Sequence, residues 1–157
     1  MPSAVALSKF VGTISLGLLT GVSYTLSSQS LPSLLTLPSA KPAHHTFLHL
    51  QSLAKTHLRS LTAIATTSLL AAYALSPPRA RHPYLIWTAL TAGLGGAVDY
   101  LLRHDEDALR ASEERGEVNG EMVKAAVEKL QRAEMVRTGV SGLAFLMGVV
   151  GIWGDGA

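Results

Sequence analysis

Three prolines crowd into one short connection, Ser76-Pro77-Pro78-Arg79-Ala80-Arg81-His82-Pro83-Tyr84-Leu85. Proline lacks the N–H that a helix needs, and its ring clashes with the preceding turn. The apolar runs on either side, 58–75 and 84–102, carry one charged residue each, Arg59 and Asp99. A break of this kind between two such runs predicts a tight hairpin between membrane-spanning helices, with Arg79 and Arg81 holding the connection out of hydrocarbon.

Two further runs fit the same reading. Residues 10–26 are seventeen positions without a charge, extended across Lys9 to a span of about 8–27. A helix rises about 1.5 Å per residue, so crossing hydrocarbon takes roughly 20 residues. A cleaved signal peptide would have a shorter apolar core and an Ala-x-Ala-like site. The residues that follow are Ser27-Ser28-Gln29-Ser30-Leu31-Pro32, so a retained span is expected. The last run is 136–153, with Arg137 at one mouth and Trp153 at the other, where interfacial rings belong. It is glycine-rich, but in lipid an unpaired backbone is costly enough for helices to persist through glycine.

The expected fold is therefore all-α, one four-span membrane bundle over 1–157, with a polar and partly helical connection at 103–136. Nine of the eleven acidic residues fall between Asp105 and Glu134, which leaves the remainder mostly hydrocarbon. A proline-punctuated loop is expected from Leu31 to Pro42, and a helix from Ala43 into the second span. In the polar connection, Met122, Ala126, Leu130 and Ala133 recur at helical spacing opposite Glu121, Lys124, Glu128 and Arg132. This predicts an amphipathic lead-in to the last span.

Small residues repeat at three- or four-residue intervals and predict where backbones approach. The expected packing positions are Gly17 and Gly21 on the first span, Ala89, Gly93 and Ala97 on the third, and Gly148 and Gly151 on the fourth. Partners within the chain satisfy these faces, and a homodimer is the other use of the same physics.

Function classes narrow by chemistry. A formal net charge of +2, interleaved with acids, excludes a nucleic-acid surface. With no cysteine there are no disulfides or thiolate metal sites. His45 and His49 share a helix face near His44 and His57, but without a metal-binding motif no metal or other cofactor is expected. Asp99 lies at the end of its span four residues before Arg103, an interfacial i,i+4 pair rather than a catalytic carboxylate. Phe47 and Leu50 have the spacing of a strand-adding peptide motif, but their neighbours predict a helix. No catalytic constellation is present.

Four spans place the termini and the central hairpin on one side with three basic residues, Lys9, Arg79 and Arg81. The other side carries ten, from Lys41 to Arg137, so the long connections are expected in the cytosol.

The hairpin residues Arg81, His82, Pro83 and Tyr84, and the C-terminal Gly151-Ile152-Trp153-Gly154-Asp155-Gly156, resemble the fungal autophagy-related protein 33 family. Ser15-Leu16-Gly17-Leu18-Leu19-Thr20-Gly21 and Leu34-Leu35-Thr36-Leu37-Pro38-Ser39 resemble the opening of the same family. The resemblance implies a multi-pass protein of the mitochondrial outer membrane that takes part in mitophagy. The sequence departs from the family pattern between the third and fourth spans, where its connection is short and charged. The expected function is a scaffold or adaptor that contacts the bilayer and a protein partner. The alternatives are an accessory subunit of a larger mitochondrial membrane complex, or a small membrane-embedded enzyme or transporter using Asp99 and histidines.

Overall fold

The structure, a computed structural model, describes the backbone of residues 2–78, 81–101, 111 and 119–154, and the side chains of 4–78, 81–96, 111 and 119–154. Among these residues every regular element is a helix. Helix α1 is Pro2–Thr25, followed without a break by a π-helical turn at Leu26–Ser30 and the single turn α2, Leu31–Leu34. Then come α3 at Ala40–Leu75, α4 at Tyr84–Leu101 and α5 at Gly120–Gly154. Three of these stretches, Ala4–Leu34, Ala40–Leu75 and Gly120–Gly154, are long and apolar enough to cross a membrane.

Helix α1 packs on α3 and α5, and α4 packs on the same two, so α1 and α4 occupy opposite corners of a four-helix bundle. Glycine contacts give the direction of each pair. A Cβ on Gly148 would stand 2.9 Å from Thr13 Oγ1, one on Gly17 would stand 3.1 Å from the Phe145 ring, and one on Gly142 would stand 3.5 Å from Thr20 Cγ2. Ascending α1 thus descends α5, and the two are antiparallel. A close contact of α1 with α3 is at Gly12, where a Cβ would lie 2.9 Å from Leu69 Cγ and 3.4 Å from the Ala65 carbonyl oxygen.

There are two cores. The larger runs through the bundle and contains Leu16, Leu19, Leu58, Ala65, Leu69, Leu85, Ala89 and Ala144. The smaller joins Leu31, Leu34, Ala43 and Phe47 to Val123, Val127 and Leu130, and forms a helical cap where α2, the start of α3 and the start of α5 meet. The cap rests on helices that simply continue out of the bundle. The lead-in and the last apolar run are one helix of 35 residues. Its start is held by Asn119, whose Oδ1 accepts the Glu121 N–H at 3.0 Å, a side-chain cap on an amide the helix cannot pair.

Several expectations need correction. The loop expected over Leu31 to Pro42 is confined to residues 35–39, because α1 widens into a π-helical turn instead of ending. Pro32 comes directly after the π-helical turn, within the continuous helical run. Nearby hydroxyls satisfy carbonyls: Ser27 and Ser28 donate to the Tyr24 carbonyl, and Ser33 donates to that of Ser30. Helix α3 starts at Ala40, with Pro42 tolerated in its first turn. The inward stripe of the lead-in is Val123, Val127 and Leu130, and Met122 is exposed. A Cβ on Gly21 or Gly93 would meet nothing within 4 Å among the described residues. The side chains of Ala97, Asp99 and Arg103 lie outside the described residues, and with them the expected Asp99–Arg103 pair.

These contacts separate glycines that space requires from those it does not. Gly12→Ala is expected to destabilise the solubilised protein by about 1–3 kcal/mol, the range for overpacking a close contact. Gly21→Ala is expected to be neutral or to stabilise by up to about 1 kcal/mol through helix propensity alone. Denaturant unfolding in detergent, followed by circular dichroism, measures both.

Candidate functional site

The inward face of α5 is a regular stripe: Val123, Val127, Leu130, Glu134, Arg137, Ser141, Ala144 and Gly148, in alternating steps of four and three. Such steps keep one face of a helix on its neighbours over many turns. Two members of the stripe are charged. Glu134 and Arg137 have side chains only 3% and 2% exposed, and Arg137 Nη1 donates to Glu134 Oε1 at 2.7 Å. The guanidinium also reaches across to α4, where Nε donates to the Gly95 carbonyl oxygen at 3.1 Å. Gly95 has no side chain to obstruct it, and a Cβ there would already touch the Arg137 stem at 3.7 Å.

From α3, Gln51 is buried beside this pair, and Lys55 lines the same small cavity between them. This polar layer separates the bundle core from the cap core. Burying a charge in apolar surroundings costs several kcal/mol unless it is paired and hydrogen-bonded. The arrangement therefore fixes where α5 stands against α4.

Arg137 corrects an expectation, since it does not snorkel at the mouth of a span. The signal was present in the sequence. Continuing the steps of four and three from Val127 and Leu130 lands on Glu134 and Arg137; the expected stripe of Met122, Ala126, Leu130 and Ala133 shares Leu130 with it, and Ala126 and Ala133 pack beside it against the cap core.

The opposite end of the bundle holds the hairpin. Arg81 Nε donates to the Ser76 carbonyl at 3.0 Å and Nη2 to that of Ala74 at 3.4 Å, so a cation covers carbonyls that the end of α3 leaves unpaired. The Arg81 guanidinium also lies 5.6 Å from the Tyr73 ring centroid. Pro83 precedes α4, and its carbonyl accepts the Ile86 and Trp87 N–H groups. The Tyr84 ring has the Lys9 ammonium 5.8 Å from its centroid and the His82 ring 6.2 Å away. It rests on Gly151, where any Cβ would collide with it. The hairpin motif and the C-terminal motif thus meet in space, at Tyr84 and Gly151. Trp153, 83% exposed, and Gly154 stand just beyond, clear of other helices.

A family model described as autophagy-related protein 33 matches residues 1–125. The chain belongs to the autophagy-related protein 33 family. It is similar to the autophagy-related protein 33 of Gibberella zeae (strain ATCC MYA-4620 / CBS 123657 / FGSC 9075 / NRRL 31084 / PH-1), with 40% identity over 187 aligned residues, covering 99% of this chain and 93% of the relative. No solved structure matches.

The family match takes in α1, the π-helical turn, α3, the hairpin and α4. The rest of the stripe on α5, including Glu134 and Arg137, lies past it but within the pairwise similarity.

The remaining candidates are scattered. His45 and His49 are exposed, His44 is buried in the cap, and His57 Nδ1 is 2.8 Å from the Leu53 carbonyl oxygen. Among the described residues no three His, Asp or Glu side chains converge as metal ligands do. Phe47, 2% exposed, points into the cap core from the middle of a helix, which is incompatible with the extended form a strand-adding motif needs.

The polar layer makes a sharp energetic prediction. Glu134→Ala leaves a buried guanidinium short of a counter-charge and is expected to cost about 3–5 kcal/mol. Replacing both partners, Glu134→Leu with Arg137→Met, is expected to be near neutral or stabilising. Unfolding curves of the two variants in the same detergent distinguish a true pair from two independent groups.

Proposed function

We propose that this chain is a multi-pass protein of the mitochondrial outer membrane that acts in mitophagy as a scaffold or adaptor. The observation that carries the reading is the bundle's exterior. Leu7, Phe10, Ile14 and Leu18 on α1, Leu90 and Leu94 on α4, and Leu143, Leu146 and Val150 on α5 all face outward. An apolar surface that surrounds a bundle is what lipid solvates and water does not. Membership of a family named for autophagy supports the process.

In this reading α4 is a fourth span. Its 18 residues run antiparallel to the neighbouring apolar helices, with Trp87 at its entrance and Leu90 and Leu94 outward. In the sequence the two long connections, which this reading puts on the cap's side of the membrane, hold ten of the thirteen basic residues, so the positive-inside rule turns the cap toward the cytosol. The cap is the surface a protein partner meets. The open faces around Gly21 and Gly93 are where a homodimer would form.

Because the chain has no cysteine, single cysteines report topology cleanly. Thr36→Cys in the cap is expected to react with a membrane-impermeant maleimide on intact mitochondria, and Ala4→Cys only after the outer membrane is ruptured. Labelling confined to the endoplasmic reticulum fraction would overturn the location, and the reverse pattern would overturn the orientation. A separate test addresses the membrane-enzyme alternative. Asp99→Asn together with His45→Ala and His49→Ala is expected to leave mitochondrial turnover and partner recovery unchanged. Loss of either in a normally folded variant would favour a chemical site.

A further inference from the structure

Toward the cap, a groove of about 520 Å³ opens between α1 and α3. Its walls are Leu18, Val22 and Leu26 on one side and Leu50, Leu53 and Leu61 on the other. His57 and Ser60 border it, and each turns a polar atom back to its own helix. Ser60 Oγ donates to the Thr56 carbonyl at 2.8 Å, and His57 Nδ1 stands 2.8 Å from the Leu53 carbonyl oxygen. A lining of this kind suits hydrocarbon, since a polar occupant would lose its hydrogen bonds to water and gain none.

The groove has the length of one leaflet. From Leu50 to Leu61 is eleven helical steps, about 17 Å, roughly half of the 30 Å of bilayer hydrocarbon. Lys9 lies at the Tyr84 end of the bundle, and a span of about 20 residues from there ends near Gln29. The wall at 18–26 therefore falls in the half of the span next to the cap. The charge is one-signed as well. Residues 1–98, which supply both walls, contain no Asp or Glu. Just past the groove, α3 exposes His49, His45 and Lys41.

We propose that the groove binds one acyl chain of an anionic phospholipid from the cap-side leaflet, with the headgroup at the rim beside His49; this rests on the membrane-spanning reading above. A free anion finds no polar anchor in the groove. A helix of a second copy would run the whole span, whereas the groove stops after half of it. A phospholipid has both an apolar tail of leaflet length and a head that a cationic rim without acids attracts.

The experiment takes the full chain from vesicles of phosphatidylcholine and phosphatidylglycerol in equal parts into mild detergent, and counts retained lipids by native mass spectrometry. One retained phospholipid per chain is expected, with phosphatidylglycerol favoured about fivefold, as one basic side chain near a membrane surface gives. Leu53→Trp, at a residue 49% exposed, fills the groove and is expected to remove the lipid, while Leu146→Trp, 59% exposed on α5, is expected to leave it bound. Lys41→Glu with His49→Glu is expected to keep the lipid and lose the preference. Equal loss in both tryptophan variants, a preference that survives the charge reversal, or a lipid-free dimer that Leu53→Trp splits overturns the proposal. A chain that floats with the vesicles but retains no lipid overturns this proposal alone, whereas one that does not float overturns the membrane reading with it. If Leu53→Trp does not fold, wild-type retention and the charge-reversed variant decide.

Discussion

A buried arginine has few places to be. The Arg137 guanidinium carries five N–H donors and no acceptor, so folding must surround it with acceptors or not bury it at all. Here one acceptor is a carboxylate on its own helix, one turn back, and another is a backbone carbonyl on α4 at a glycine. Sliding α5 along α4 by a turn would strand the charge. Apolar contacts tolerate small slips because they are non-directional, and hydrogen bonds to a charge do not. The polar layer therefore sets the register from which the other close contacts follow, Tyr84 on Gly151 at one end and Val123 with Val127 against the cap at the other.

The π-helical turn at Leu26–Ser30 belongs to the same level of the molecule. It buries Leu26 in the bundle core and delivers Leu31 into the cap core five residues later. The wider turn advances the helix face, so one continuous run of backbone can feed both cores. Such turns recur at functional sites, and the serines around it supply hydroxyls to the loosened carbonyls without help from solvent.

Much of this was legible in the sequence, and the failures are specific. Apolar runs and the proline cluster located the long helices, since length and proline act locally. Glycine spacing was a poorer guide. Among the described residues Gly17 and Gly148 do meet other helices and Gly21 does not, while α1 comes close to α3 at Gly12, which continues a small-residue run from Ala4 and Ser8 outside the expected packing positions. Spacing says which residues share a face and not which face finds a neighbour. Prolines 32 and 42 read as loop because their cost inside a helix is large, yet Pro42 sits in a first turn where that cost is small, and Pro32 follows a π-helical turn through which the helix continues. The charged pair was hidden by the habit of assigning Glu and Arg to the polar face. The step pattern of α5 exposes them only when it is carried through the charges rather than stopped at them.

Helices α3 and α5, with 36 and 35 residues, are each about 50 Å long. The hydrocarbon of a bilayer is about 30 Å thick. If the bundle spans a bilayer as proposed, two such helices, running unbroken from the Tyr84 end to the cap, would hold the cap on stiff posts clear of the headgroups. On the adaptor reading proposed above, a partner at the cap would meet a surface set by packed helices, without first having to order a flexible tether, and the entropic penalty of association would be correspondingly small.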